Sequence, residues 1–116
     1  MVNKMAFDPR ISLVTLGVSD VARATAFYEK LGWEKTSGDE NISFFQLSGI
    51  VLGLYGRAAL AEDAGVGNSP PGFAGVTLAY NTRSEQEADA AYQHALACGA
   101  SPVKQPQKVF WGGYSG

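Results

Sequence analysis

The chain has 116 residues, 46% of them apolar and 17% charged, which is enough for one compact domain with a core and too few for two independent ones. Its formal net charge of -2 argues against nucleic acid, because phosphate binding needs a basic surface that releases counterions. A single cysteine, Cys98, cannot close an intrachain disulfide, the N-terminal residues lack a signal-like apolar stretch, and the longest apolar run, from Gly49 to Gly56, is far below the roughly twenty residues that span a bilayer; a soluble, cytoplasmic protein with no membrane partner is expected.

Ile11 to Val18 alternates Val14, Leu16 and Val18 with Leu13, Thr15 and Gly17, and reads as a strand with two distinct faces. Ser19 and Asp20 are N-cap residues. Behind them Val21, Ala24, Phe27, Tyr28 and Leu31 recur at helical spacing until Gly32 stops the helix. Three short β-like stretches follow, Trp33 to Thr36, Ile42 to Leu47 and Ile50 to Tyr55, separated by the turn residues Ser37-Gly38-Asp39 and Ser48-Gly49. The order is β, α, β, β, β. Arg57 to Ala64 predicts a short helix, and Gly65 to Gly72, with three glycines and two prolines, reads as a linker.

A second strand-plus-helix unit starts at Phe73. Val76-Thr77-Leu78-Ala79 repeats Val14-Thr15-Leu16-Gly17, and Ser84 with Glu87 forms a capping box for a helix that runs to about Cys98 and ends at Gly99. Both copies open a strand, run into a capped helix and stop at glycine, so the chain reads as an internal duplication. The expected organisation is a single domain over residues 1–116. Module one spans about 10–57, a connecting segment 58–72, and module two about 73–116. Each helix would cover one face of its half-sheet and leave the other face available.

Leu16-Gly17-Val18-Ser19-Asp20 followed by Ala26-Phe27-Tyr28-Glu29-Lys30-Leu31-Gly32-Trp33 resembles the opening of the vicinal-oxygen-chelate superfamily, the glyoxalase, bleomycin-resistance and extradiol dioxygenase proteins. Leu54-Tyr55-Gly56-Arg57, Phe73-Ala74-Gly75-Val76-Thr77-Leu78 and Phe110-Trp111-Gly112-Gly113-Tyr114 extend the resemblance in the family's order. It implies an α+β fold in which two βαβββ modules form a U-shaped mixed sheet cup, usually within a homodimer. The family's last strand would lie beyond Gly116, and a module ending before it would expose a sheet edge. The family's enzymes hold a divalent metal in the cup as a Lewis acid. Carried over by position, its ligands fall at Leu13, near Gly53 and at Gly75, with the fourth on that last strand. Leucine and glycine offer no ligand atom in their side chains.

The remaining polar candidates have bland readings. His94, the only histidine, is read as a surface or half-buried residue of its helix, and Cys98 as a packed, inert thiol next to a negative helix end. Asp39, Glu40, Glu62 and Asp63 read as solvated surface charge, and Ser115 lacks the histidine a nucleophile needs. The aromatic residues carry more. Tyr55 shares the cup-facing parity of Gly53, Trp111 and Tyr114 are flanked by glycines, and Phe44 or Phe45, whichever faces inward, joins them. Thr15 and Thr77, related by the repeat, offer hydroxyls.

The expected ligand-binding set is Thr15, Phe45, Tyr55, Thr77, Trp111 and Tyr114, taking a small, apolar or aromatic molecule without a metal or other cofactor. The alternative is a metal-dependent lyase of glyoxalase I type or a dioxygenase, completed by residues outside these 116. A module using the fold only as a scaffold is a third reading.

Overall fold

The computed structural model describes residues 7–116. It divides into two compact units, one reaching Asn68 and the other Ser69–Gly116, and each is described by itself.

The first unit opens with β1 (Leu13–Val18) and α1 (Val21–Leu31), continues through β2 (Lys35–Gly38), β3 (Ile42–Gln46) and β4 (Val51–Gly56), and closes with α2 (Arg57–Ala64). Its strands form a mixed sheet in the order β1-β4-β3-β2. β1 runs parallel to β4, whereas β3 is antiparallel to both β4 and β2. The parallel pair requires a crossover, and α1 with the β2–β3 hairpin provides it.

α1 forms where the sequence supplies its ends. The Asp20 side chain accepts a hydrogen bond from the Arg23 amide at 3.0 Å, which satisfies one of the donors that the first turn leaves open. At the other end Gly32 is left-handed, with φ 116°. Its amide donates to the Glu29 carbonyl at 3.0 Å and the Trp33 amide to the Tyr28 carbonyl at 3.2 Å. This double closure brings Trp33 back over Tyr28, and the two rings stack with centroids 5.4 Å apart, the apolar contact that accompanies such a helix end.

Pairing register decides which side chains form the core. Val14, Leu52 and Phe45 form one row across β1, β4 and β3, and Leu16, Leu54 and Ser43 form the next. Phe45, Leu52 and Leu54 are buried and are packed by Leu16, Val18, Ala24, Tyr28 and Trp33. This is the face that α1 covers. Ser43 is also buried on it, and its hydroxyl meets that of Thr25 on α1 at 2.7 Å, while Thr25 Oγ1 donates to the Val21 carbonyl at the same distance. The polar pair is thus satisfied inside the core.

Each of the four strands has a boundary that moves by a residue or two from the sequence expectation. β2 lies at 35–38 rather than 33–36, because Trp33 is held against the end of α1. The β2–β3 turn is stabilised by Asp39, whose carboxylate accepts from the Asn41 amide at 2.7 Å and the Ile42 amide at 3.3 Å. Asp39 therefore serves the turn.

The second unit contains α3 (Glu85–Cys98) and one short antiparallel pair, β5 (Gln107–Lys108) with β6 (Tyr114–Ser115). Ser84 caps α3 by accepting from the Glu87 amide at 3.1 Å, and the Glu87 carboxylate accepts from the Arg83 amide at 3.1 Å. The capping box is present, with its return bond one residue earlier than the standard form. The predicted strand 76–79 is not a strand among the described residues. In the first unit β1 is paired only through β4, and no described strand offers residues 76–79 the equivalent ladder, without which an extended segment is not held as sheet. The correction concerns the strand at 76–79 alone; the α+β class with a mixed sheet stands.

Candidate functional site

Of the six residues the sequence suggests for ligand binding, Thr15 and Tyr55 lie on the face of the first-unit sheet turned away from α1. Thr15, Gly53 and Phe44 form one row on it, and Gly17, Tyr55 and Ile42 form the next. All six belong to strands whose alternate residues fill the core, so their positions are fixed by the packing beneath them.

Two glycines shape this face. A Cβ at Gly53 would stand 3.2 Å from Phe44 Cε1 and 3.2 Å from Thr15 Oγ1. The missing side chain lets the Phe44 ring and the Thr15 hydroxyl close over the strand, which buries Gly53. Gly17 plays the corresponding part at the end of the face, where a Cβ would come within 3.2 Å of Leu60 Cδ2 and 3.3 Å of Arg57 Cα. α2 can therefore lie directly over β1. The result is a surface with Phe44 and Tyr55 on the strands, Thr15 across Gly53 from Phe44, and Leu60 at one end.

Thr15 and Tyr55 thus share one face, as their parity requires. Phe45 does not. It is fully buried on the α1 side, with its ring 5.9 Å from that of Tyr28, and Phe44 is the phenylalanine that shares the face of Thr15 and Tyr55. Adjacent strand residues point to opposite faces, so only one of the two phenylalanines could serve, and the helix side claims Phe45.

The other three residues lie in the second unit. Thr77 is exposed in irregular backbone. Trp111 is 65% exposed, and its indole lies on Gly113, so closely that a Cβ there would overlap the ring. The space that glycine leaves is taken by Trp111 itself. Tyr114 donates its hydroxyl proton to Asp89 Oδ1 at 2.7 Å, tying β6 to α3. That hydrogen bond, with burial and the nearby charges of Asp89 and Glu85, raises the Tyr114 phenol above its ordinary value.

The three positions within these residues that the resemblance assigns to metal ligands offer no side chain that could bind a metal. Leu13 is hydrocarbon, Gly53 is covered by Phe44 and Thr15, and Gly75 has φ 80° with nothing within 4 Å of an added Cβ. Among the described residues no three His, Cys, Asp or Glu side chains come together as a metal-holding group. No helix among them is long and apolar enough to cross a membrane.

Solved structures supply the comparison. A glyoxalase-related enzyme from Fulvimarina pelagi is 30% identical, with a TM-score of 0.81 over 91% of this chain and 76% of that one. A glyoxalase/bleomycin resistance protein/dioxygenase from Nocardioides is 26% identical, with a TM-score of 0.73 over 92% and 73%. Lactoylglutathione lyase from Agrobacterium tumefaciens is 21% identical, with a TM-score of 0.66 over 92% and 82%, a likeness of fold alone. No curated protein matches the chain. The model of the glyoxalase/bleomycin resistance protein/dioxygenase superfamily matches residues 10–116, and the chain therefore belongs to that superfamily.

Proposed function

We propose that the chain binds a small, largely apolar or aromatic molecule on the sheet face turned away from α1, without a metal ion. The observation that supports this reading is the makeup of that face. Phe44 and Tyr55 are half-buried there, with the Thr15 hydroxyl beside them and glycine or leucine at the superfamily's ligand positions. Aromatic walls with few polar groups gain most from desolvating a planar, weakly charged ligand, and one hydroxyl is enough to orient it. At the three superfamily ligand positions that fall within these residues, a cation would find no imidazole or carboxylate.

Pairing of two copies and a cytoplasmic setting belong to the same reading. Binding would be stoichiometric sequestration rather than turnover.

The test is a fluorescence titration of chelator-treated protein against a library of aromatic compounds. A saturable response is expected, weakened in Tyr55→Ala and Phe44→Ala and insensitive to added Zn, Ni, Mn or Fe. Thr77→Ala, Trp111→Ala and Tyr114→Phe in the same titration report whether the second unit contributes. Absence of saturable binding across the library, or binding or turnover that appears only with added metal, would reject the proposal in favour of a metal-dependent lyase or dioxygenase.

A further inference from the structure

The second unit carries a pair of soft-metal ligands that the reading above does not use. His94 and Cys98 stand four residues apart on α3, so their side chains lie one above the other on the same helix face. His94 is exposed and Cys98 half-buried, and Cys98 Sγ lies 3.9 Å from His94 Nε2. From these two side chains we propose a two-ligand site for a thiophilic divalent cation of the zinc and cadmium class.

The separation suits such an ion. A cation about 2.3 Å from sulfur and about 2.05 Å from nitrogen, at a tetrahedral angle, sets the two atoms about 3.5 Å apart. The observed distance is slightly longer, and a small rotation of either side chain closes the difference. The helix end adds to it. The last turn of α3 holds no basic residue, so the partial negative charge at its C-terminus is not offset by a side chain of that turn, and a cation beside it is favoured.

Binding replaces the thiol proton by the metal and releases that proton to solvent. Two ligands leave two tetrahedral positions. Water fills them in a single copy, and the matching pair of a second copy would complete a two-sulfur, two-nitrogen centre.

The experiment is a Cd2+ titration of the reduced protein, followed by the ultraviolet sulfur-to-cadmium charge-transfer band, with far-ultraviolet circular dichroism to confirm folding. The site predicts a band that saturates at one cadmium per chain, or at one per two chains where a second copy takes part. Cys98→Ser abolishes the band. Loss of the nitrogen ligand in His94→Gln weakens binding by roughly tenfold or more, since even displaced outer-sphere partners cost that much. Because His94 is exposed, that variant keeps the test available if Cys98→Ser fails to fold. A band that fails to saturate, or His94→Gln binding cadmium as tightly as the parent, overturns the proposal.

Discussion

Truncating each of the two neighbouring phenylalanines of β3 tests the assignment of the sheet faces. Phe45 is fully buried with Leu52 and Leu54 beneath α1, its ring in contact range of Tyr28. An aromatic side chain of this kind buries about 150–250 Å², which at about 25 cal/mol per Å² corresponds to roughly 4–6 kcal/mol as an upper figure. Measured large-to-small changes of this type cost about 3–5 kcal/mol.

That is a large part of the roughly 5–15 kcal/mol by which a domain is stable, so Phe45→Ala should move the urea midpoint far down or leave the chain unfolded. Phe44 is only half-buried on the opposite face. Its truncation removes less buried area and leaves no closed cavity, so a cost of about 1–2 kcal/mol is expected. Circular dichroism in urea compares the two variants directly. Equal costs, or a larger cost at Phe44, would refute the face assignment and with it the composition of the candidate site.

Other expectations follow from the same geometry. Thr25→Val removes the hydroxyl that meets buried Ser43 and should cost about 1–3 kcal/mol by orphaning its partner, whereas adding Ser43→Ala to it should recover part of the loss; a double-mutant cycle in urea measures both. Asp20→Ala and Ser84→Ala each delete an N-cap bond and should cost about 1 kcal/mol apiece in the same assay. Burial raises the Tyr28 phenol above its ordinary value of 10.0, and the Asp89 hydrogen bond does the same for Tyr114. A raised folded-state pKa means the unfolded chain loses its proton first, so this contribution is intact below pH 10 and is lost as pH climbs towards the folded values. Urea midpoints should therefore decline above pH 10, less steeply in Tyr28→Phe and in Tyr114→Phe; unchanged slopes in both variants would contradict this.

Local signals make the ends of α1 and α3 legible in the sequence. Asp20 and Gly32 bracket α1, Ser84 and Gly99 bracket α3, and in each case the capping bonds are made where those residue types stand. Tyr55 follows from the parity of Gly53 and Thr15 from the repeat, and register puts the two on one face. Phe45 was misplaced for a physical reason. In Ile42-Ser43-Phe44-Phe45-Gln46 a serine shares the parity of Phe45, and a polar residue usually marks the outer face. Only the hydroxyl of Thr25, on a different element, makes Ser43 acceptable in the core.

Residues 76–79 have strand composition, but strand structure also needs a ladder partner, which composition does not encode. Beside its permissive glycines, Trp111 has the sequence context of an open aromatic wall. Nothing in the string Trp-Gly-Gly-Tyr reveals that the indole folds onto Gly113. The cap bonds depend on neighbours three or four residues away, whereas the places of Phe45 and of residues 76–79 depend on which distant element, if any, comes to rest against them.

The most direct test of the metal-free binding surface is an NMR titration of isotope-labelled, chelator-treated protein with an aromatic ligand taken from the fluorescence screen. Saturable shifts concentrated at Thr15, Phe44, Gly53 and Tyr55 are predicted, unaltered when Zn2+ is added. Shifts confined to the α1-facing core row, or shifts on that face that arise only in the presence of the metal, would contradict it.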